Sequence, residues 1–236
     1  MAKKPRVYLG IGHGGSDPGA VANGVKEKDA NLVIGKAAAA ELERHGVEVM
    51  LSRTTDIDES TSQKAKECNA FNPDYAADIH NNAGGGDGAE VYYSINGGAG
   101  KDLANNILKE IVAIGQNSRG IKTRKGNNGD YYGFIRCTNC PANIIECAFV
   151  DNKKDGQIID TKAEQQAMGV AIARGFLRQL KIDWKAPVLE EPEDATPDKA
   201  VYRVQTGAFT NKAGAEQMLK KLKNAGFSGI IVKGTM

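Results

Sequence analysis

Up to about residue 182, short apolar runs of strand length alternate with longer stretches of helical period, and this alternation limits the folds open to the chain. The runs are "RVYLGIGH", "VEVMLSR", "YAADIHNNA", "AEVYYS" and "ANIIECAFV". Between them lies "EKDANLVIGKAAAAELERHG", where Ala30, Ile34, Ala38 and Leu42 share one face and Gly46 suits a C-cap. "ESTSQKAKECNAFN" reads as a helix ended by Pro73, and "KDLANNILKEIVAIG" as an amphipathic helix. "TKAEQQAMGVAIARGFLRQL" carries Met168, Ile172, Phe176 and Leu180 at i+4 steps. Helices between apolar strands predict an α/β fold, a twisted and mostly parallel sheet covered by helices on both faces. Residues 116–133, with Gly120, Gly126, Gly129 and Gly133, read as loop.

Composition then breaks. From Asp183 to Lys199 the chain carries three prolines and six carboxylates against two lysines, the makeup of an extended acidic linker. From Ala200 the pattern becomes strand "VYRVQTGAF", helix "NKAGAEQMLKKLKNAG" and strand "FSGIIVKG", with six basic residues against Glu216 alone. The expected layout is a domain over 1–182, a linker over 183–199 and a small basic β-α-β unit over 200–236. That unit is too short to be stable alone by the usual size scaling.

A net charge of +2 exerts no overall pull toward nucleic acid, and no apolar run approaches the ~20 residues of a membrane span. Neither a nucleic-acid partner nor membrane insertion is expected. The N-terminal lysines and short apolar run imitate a signal peptide, but His13 interrupts the run before any small-residue cleavage site. The expectation is synthesis in the cytoplasm without a signal peptide. Cys137 and Cys140 have zinc-ribbon or redox spacing, yet no second CxxC or close histidine pair follows. With Cys68 and Cys147 they read as structural thiols.

The stretch "RVYLGIGHGGSDPG" admits two readings. Gly10, Gly12 and Gly15 spell the dinucleotide fingerprint GxGxxG. That loop must run directly into a helix whose N-terminus receives the pyrophosphate. Here a Ser16-Asp17-Pro18-Gly19 turn intervenes, and the helix begins only near Glu27. Arg53 also stands at the end of the second strand, where an acid for the ribose belongs; an NADP-type site tolerates the arginine but not the late helix.

The other reading is a metal site. His13 and His80 each end a strand, and in a parallel sheet both lie at carboxyl edges, where functional groups collect. His45, the remaining histidine, sits at a helix C-terminus, where a cation favours the dipole, and is assigned no site role. A catalytic zinc takes three protein ligands and keeps an open position. Glu27 is either the third ligand or a helix-N-terminal carboxylate favoured by the dipole; spacing leaves both open. Glu146 is an isolated acid in an apolar strand, and a buried carboxylate needs a specific job or partner. Arg119, Lys122, Arg124 and Lys125 form either a solvated face or a groove wall for anionic groups.

The blocks "GIGHGGSDPGAVANGVKEKD", "VMLSRTTD", "DIHNNA" and "PANIIECAFVDN", in this order over residues 5–182, resemble the zinc-dependent N-acetylmuramoyl-L-alanine amidases of the amidase-3 type, which cleave bacterial peptidoglycan. The resemblance implies one zinc ion on His13, Glu27 and His80, with Glu146 as catalytic general acid/base. It implies supporting roles for Arg53 and Asp56, and for Asn82 a role in orienting its loop or touching substrate. Arg124 and Lys125 are candidates for the carboxylates of stem peptides. Asp78 departs from the family's usual serine two residues before the second histidine ligand, and Cys147 from a usual small residue. No segment between Ser52 and Asn72 looks long enough for the regulatory helix that occludes some members, so an open site is expected.

The tail resembles the first half of a SPOR-type peptidoglycan-binding repeat, through "VQTGAF", the helix and the "GF" turn. A half module is truncated, disordered or completed by a second copy, which makes an oligomer one expectation. Together these features imply a wall amidase of phage or prophage endolysin type, released to act on the cell wall. The alternatives are a non-catalytic peptidoglycan-binding protein on the same scaffold and an NADP-dependent reductase.

Overall fold

The computed structural model describes residues 3–186 and 212–224. The chain divides into two compact units, Met1–Ala186 and Pro187–Met236. In the first, β1 (Arg6–Ile11) leads through a small hairpin, β2 (Val21–Ala22) and β3 (Val25–Lys26), into α1 (Glu27–Arg44). Then follow β4 (Glu48–Leu51), α2 (Thr61–Phe71), β5 (Tyr75–Asn82), β6 (Ala89–Tyr92) and α3 (Ala99–Ala113). After them come β7 (Ser118–Lys122), a second hairpin of β8 (Lys125–Gly126) and β9 (Gly129–Asp130), and α4 (Gly133–Cys137). The unit closes with β10 (Ala142–Phe149), α5 (Lys153–Gly156) and α6 (Lys162–Leu180).

Six strands form one sheet in the order β4-β1-β5-β10-β6-β7. Every pairing is parallel except that of β10 with β6. Side-chain alternation sorts the strand residues onto two faces. Val7, Leu9, Ile11, Ala77, Ile79 and Ile145 pack with α1, α3 and α6 in the larger core. Tyr8, Ala76 and Ile144 pack with Cys68 and Phe71 of α2 and Phe134 of α4 in the smaller one. A helical layer therefore covers each face, as the alternating pattern predicts.

Local chemistry sets the helix ends. Ser60 and Thr161 open α2 and α6 with capping boxes closed by Gln63 and Glu164. α6 approaches α1 at Gly169, where a Cβ would lie 2.3 Å from the Ile34 carbonyl oxygen. The two helices come this close because no side chain stands between them.

Two expectations need correction. Residues 118–122, read as loop, form the edge strand β7, and 125–130 form a hairpin. Gly126 and Gly129 flank the hairpin turn, while Ile121 joins the larger core from an otherwise polar edge. Between the Ser16–Gly19 turn and α1, "AVANG" contributes to the first hairpin. The first unit also extends past 182. The Trp184 indole N–H donates to Glu41 Oε1 at 2.5 Å, and the Lys185 N–H donates to His45 Nε2 at 2.9 Å. His45 bridges this segment to the Glu41 carbonyl, so it serves as a structural link.

In the second unit, α7 (Lys212–Asn224) is the described element, with Lys212 and Glu216 paired at 3.5 Å. The linker from Pro187 and both strands expected in the tail lie outside the described residues.

Candidate metal centre

Beyond β1 the chain turns sharply. His13 has φ of 59°, in the left-handed region that costs a non-glycine residue about 1–3 kcal/mol and persists only where the surroundings fix it. The surroundings do. The Gly15 and Ser16 amides donate to Asp56 Oδ1 and Asp58 Oδ1, each at 2.8 Å. Arg53, buried, donates to the Gly12 carbonyl at 3.2 Å and the Lys28 carbonyl at 2.8 Å. Lys28 Nζ donates to Asp56 Oδ2 at 2.7 Å. Arg53 and Asp56 thus fasten the loop carrying His13 to the start of the helix carrying Glu27.

Glu27, the first residue of α1, is buried. Its Oε2 accepts the Ala20 amide at 2.9 Å and its Oε1 the Asn81 amide at 3.0 Å. The same Oε1 lies 3.2 Å from His13 Nε2 and 3.1 Å from His80 Nδ1. Ligand atoms of His13, Glu27 and His80 all fall within 4.8 Å of one another. The far nitrogen of each imidazole faces a carboxylate: His13 Nδ1 lies 2.7 Å from Asp17 Oδ2, and His80 Nε2 lies 3.4 Å from Asp78 Oδ2. Metal-bound histidines are held in this way, with the distal N–H donated to a carboxylate.

The electrostatics of the cluster favour a cation. Burial pushes the Glu27 carboxyl up, but the hydrogen bonds from His13 and His80 prevail and hold it well below the usual range. Burial lowers His80, yet the Asp78 charge and the Glu27 contact outweigh it and raise the imidazole to about 10. The Glu27 hydrogen bond likewise raises His13 against burial. With the ligand atoms gathered around a shared carboxylate oxygen, the centre draws a proton or a metal ion. Two imidazoles and one carboxylate are the donor set of a metal site with an open fourth position. The His13 and His80 side chains retain 25% and 21% exposure, so the centre opens to solvent.

Glu146 lies beside this cluster. It pairs in register with His80 across β5 and β10, and with Glu90 across β10 and β6. Its Oε2 is buried with no hydrogen-bond partner. Burial raises its carboxyl to about 7; the His80 charge opposes this, while Glu27 and Glu90 add to it. Glu90 is an ionised hub. Arg119 Nε donates to its Oε2 at 2.8 Å, Lys122 Nζ donates to the same oxygen, and the Tyr92 hydroxyl donates to its Oε1 at 2.8 Å. Asn82 Nδ2 also donates to Glu90 Oε1, at 3.2 Å, which ties Asn82 to this hub.

Arg124 and Lys125 stand further out. The Arg124 guanidinium lies 3.6 Å over the Tyr131 ring, Tyr131 meets Tyr132 edge-on, and Tyr132 packs against Tyr92 at 4.8 Å. The Glu146 charge reaches Tyr132 and, after burial, helps raise its phenol. Arg124 is therefore linked to the centre through an aromatic wall, while Lys125 is an exposed residue of the hairpin. Of the thiols, Cys68 and Cys147 are buried and Cys137 is exposed; Cys140 Sγ lies 3.9 Å from Cys68 Sγ. Sequence reasoning missed Asp17, Lys64 and Glu90. Asp17 was signalled by its i+4 spacing from His13, but the other two are recruited by strand pairing and helix packing.

The glycines of the opening stretch find their reason here. A Cβ at Gly12 would lie 2.5 Å from the His80 ring, and one at Gly10 would lie 2.6 Å from Asp78 Oδ1. They clear β1 for side chains of β5, not for a pyrophosphate.

Comparison with known proteins agrees with this geometry. A family model described as N-acetylmuramoyl-L-alanine amidase matches residues 7–178, and one described as SPOR domain matches residues 170–233. The chain is 32% identical over 231 residues to the N-acetylmuramoyl-L-alanine amidase CwlM of Bacillus licheniformis, covering 96% of this chain and 84% of that protein. It is 34% identical over 229 residues to the endolysin of Bacillus phage SPP1, covering 92% and 84%. The solved structure of the N-acetylmuramoyl-L-alanine amidase AmiC2 of Nostoc punctiforme superposes with a TM-score of 0.69 at 30% identity, over 77% of this chain and 99% of that one. The chain belongs to the N-acetylmuramoyl-L-alanine amidase family and is an amidase.

Proposed function

We propose that this amidase depends on zinc held by His13, Glu27 and His80, and that it hydrolyses the amide between the lactyl carbonyl of N-acetylmuramic acid and the L-alanine of the stem peptide. The observation that carries this reading is the convergence of those three ligand atoms beside Glu146. When bound, zinc supplies a Lewis acid that polarises the carbonyl and acidifies a water.

The chain's own groups do the rest. Glu146, ionised and with a free buried oxygen, accepts the proton of the attacking water. The same carboxyl then delivers a proton to the departing alanine nitrogen, so that a neutral amine leaves. A carboxyl near 7 serves both steps, because acceptance and return are then closely matched. Asp17 and Asp78 orient the imidazoles, and Glu27 is held by two backbone amides, so the donors need little rearrangement. The Tyr92–Tyr132–Tyr131 wall with Arg124, and Asn82 at the end of β5, offer stacking and polar contacts to the glycan and peptide. Lys125, exposed on the hairpin, adds positive charge next to Arg124.

The similarity to a phage endolysin supports a lytic role, with the protein made in the cytoplasm and released to the wall. The SPOR match supports a wall-binding role for the tail. Mass analysis of digested peptidoglycan tests the reaction. New free L-alanine amino termini, lost with a chelator and regained with zinc, are expected; cleavage of glycosidic or cross-bridge bonds instead would overturn it.

A further inference from the structure

We propose that the buried Lys64–Asp78 pair is a positioning device for His80, which holds the imidazole with Nε2 toward Asp78 and leaves Nδ1 for the metal. The inference rests on the zinc reading of the site. Asp78 and His80 are two residues apart on β5, so they project from one face of the sheet. His80 Nε2 lies 3.4 Å from Asp78 Oδ2, while His80 Nδ1 lies 3.1 Å from Glu27 Oε1. The ring is thus spanned between a carboxylate outside the ligand set and one inside it.

A carboxylate at this depth needs a counter-charge. Lys64, from α2, donates Nζ to both Asp78 oxygens, at 2.9 and 3.1 Å, and both residues are buried. Each carboxylate oxygen has two lone pairs, so Oδ2 can accept from Lys64 and from an imidazole N–H together. Gly10 on the neighbouring strand and Gly12 just beyond its end leave the room that the Asp78 and His80 side chains occupy. His13 has a simpler counterpart: its orienting carboxylate, Asp17, is exposed and needs no lysine.

Stability alone is a weak reason for such a pair, since a buried ion pair often gives way to apolar residues at no net cost. Its place behind a ligand gives a stronger one.

The test uses the full chain and zinc itself. Lys64→Met with Asp78→Ser removes the charges and the carboxylate acceptor together. Lys64→Met with Asp78→Asn removes the charges but keeps an oxygen for Nε2–H. Zinc affinity is read by competition with a chromophoric chelator, and thermal melting of the metal-free proteins confirms folding. The serine variant should bind zinc roughly 10–100-fold more weakly, and the asparagine variant should recover most of that loss. Nitrogen-15 NMR of the zinc-loaded wild type should show Nδ1 of His80 ligated and a slowly exchanging Nε2–H. Affinities within about twofold of wild type in both variants, or ligation through Nε2, would overturn the inference while leaving the zinc reading intact. Absence of a tight zinc site in the wild type would overturn both.

Discussion

Glu146 and His80 are register partners on adjacent parallel strands, with their side chains on the same face of the sheet. Neighbouring strands run about 4.8 Å apart, so strand pairing alone sets the proposed base one spacing from a proposed ligand. On its other side Glu146 is in register with Glu90 across an antiparallel pair. The carboxyl therefore stands between an imidazole that attracts its charge and a carboxylate that repels it. Arg119 and Lys122 hold Glu90 ionised, so of the two carboxyls Glu146 is the one pushed up.

This placement separates metal binding from proton transfer. Glu146 contributes no ligand atom to the cluster, so Glu146→Gln should keep wild-type zinc content. Its kcat/KM should fall by about 100- to 10,000-fold, the usual share of a general acid/base. Zinc analysis and product formation on purified peptidoglycan measure the two quantities, and wild-type turnover in that variant would remove Glu146 from the mechanism.

The acid limb of the pH profile follows from the same carboxyl. Burial, aided by Glu27 and Glu90, places it at about 7 against the pull of His80. Proton acceptance needs the ionised form, which dominates above that value and is lost below it. kcat/KM should therefore fall as pH drops through 7, approaching about tenfold per unit. A rate that stays level between about pH 5 and 8 would show that another group limits the step.

Much of this site was legible in the chain. His13 follows one apolar run, His80 closes the run "YAADIH" and Glu146 interrupts a third, so each stands out against its local pattern. Glu27 was ambiguous because a helix N-terminus accepts a carboxylate for its own electrostatic reasons. Lys64 and Glu90 were not legible. Lys64 reads as one more charge on a polar helix, and only the packing of α2 against the sheet buries it. β7 was missed because an edge strand needs few apolar residues to pair, and Arg119 hides its polarity by reaching back to Glu90.

Gly10 in β1 and Gly12 just beyond its end offer a sharp test of what the opening motif is for. A methyl group at position 12 would meet the His80 ring at 2.5 Å, and ring displacement is the only relief short of moving the strand. Gly12→Ala should lower zinc affinity by at least about tenfold, comparable to losing a supporting contact of a ligand. Binding of a dinucleotide is not expected of either protein. Wild-type zinc affinity in the variant, measured by chelator competition, would mean that His80 has freedom the packing does not suggest.

The edge of the first unit can be tested by truncation. Trp184 donates to Glu41, and the Arg174 guanidinium lies 4.7 Å from its ring centre. Lys185 adds a backbone link to His45. A hydrogen bond to a carboxylate and a cation–π contact together contribute about 2 kcal/mol. In a unit of this size that corresponds to roughly 4–8 °C in Tm. A fragment ending at Ala186 should therefore melt higher by that amount than one ending at Ile182, with equal activity well below either transition. Scanning calorimetry of the two fragments measures the difference. Identical melting would mean that these contacts are exchanged for water without loss, and that the acidic linker starts at Asp183, as composition alone predicts.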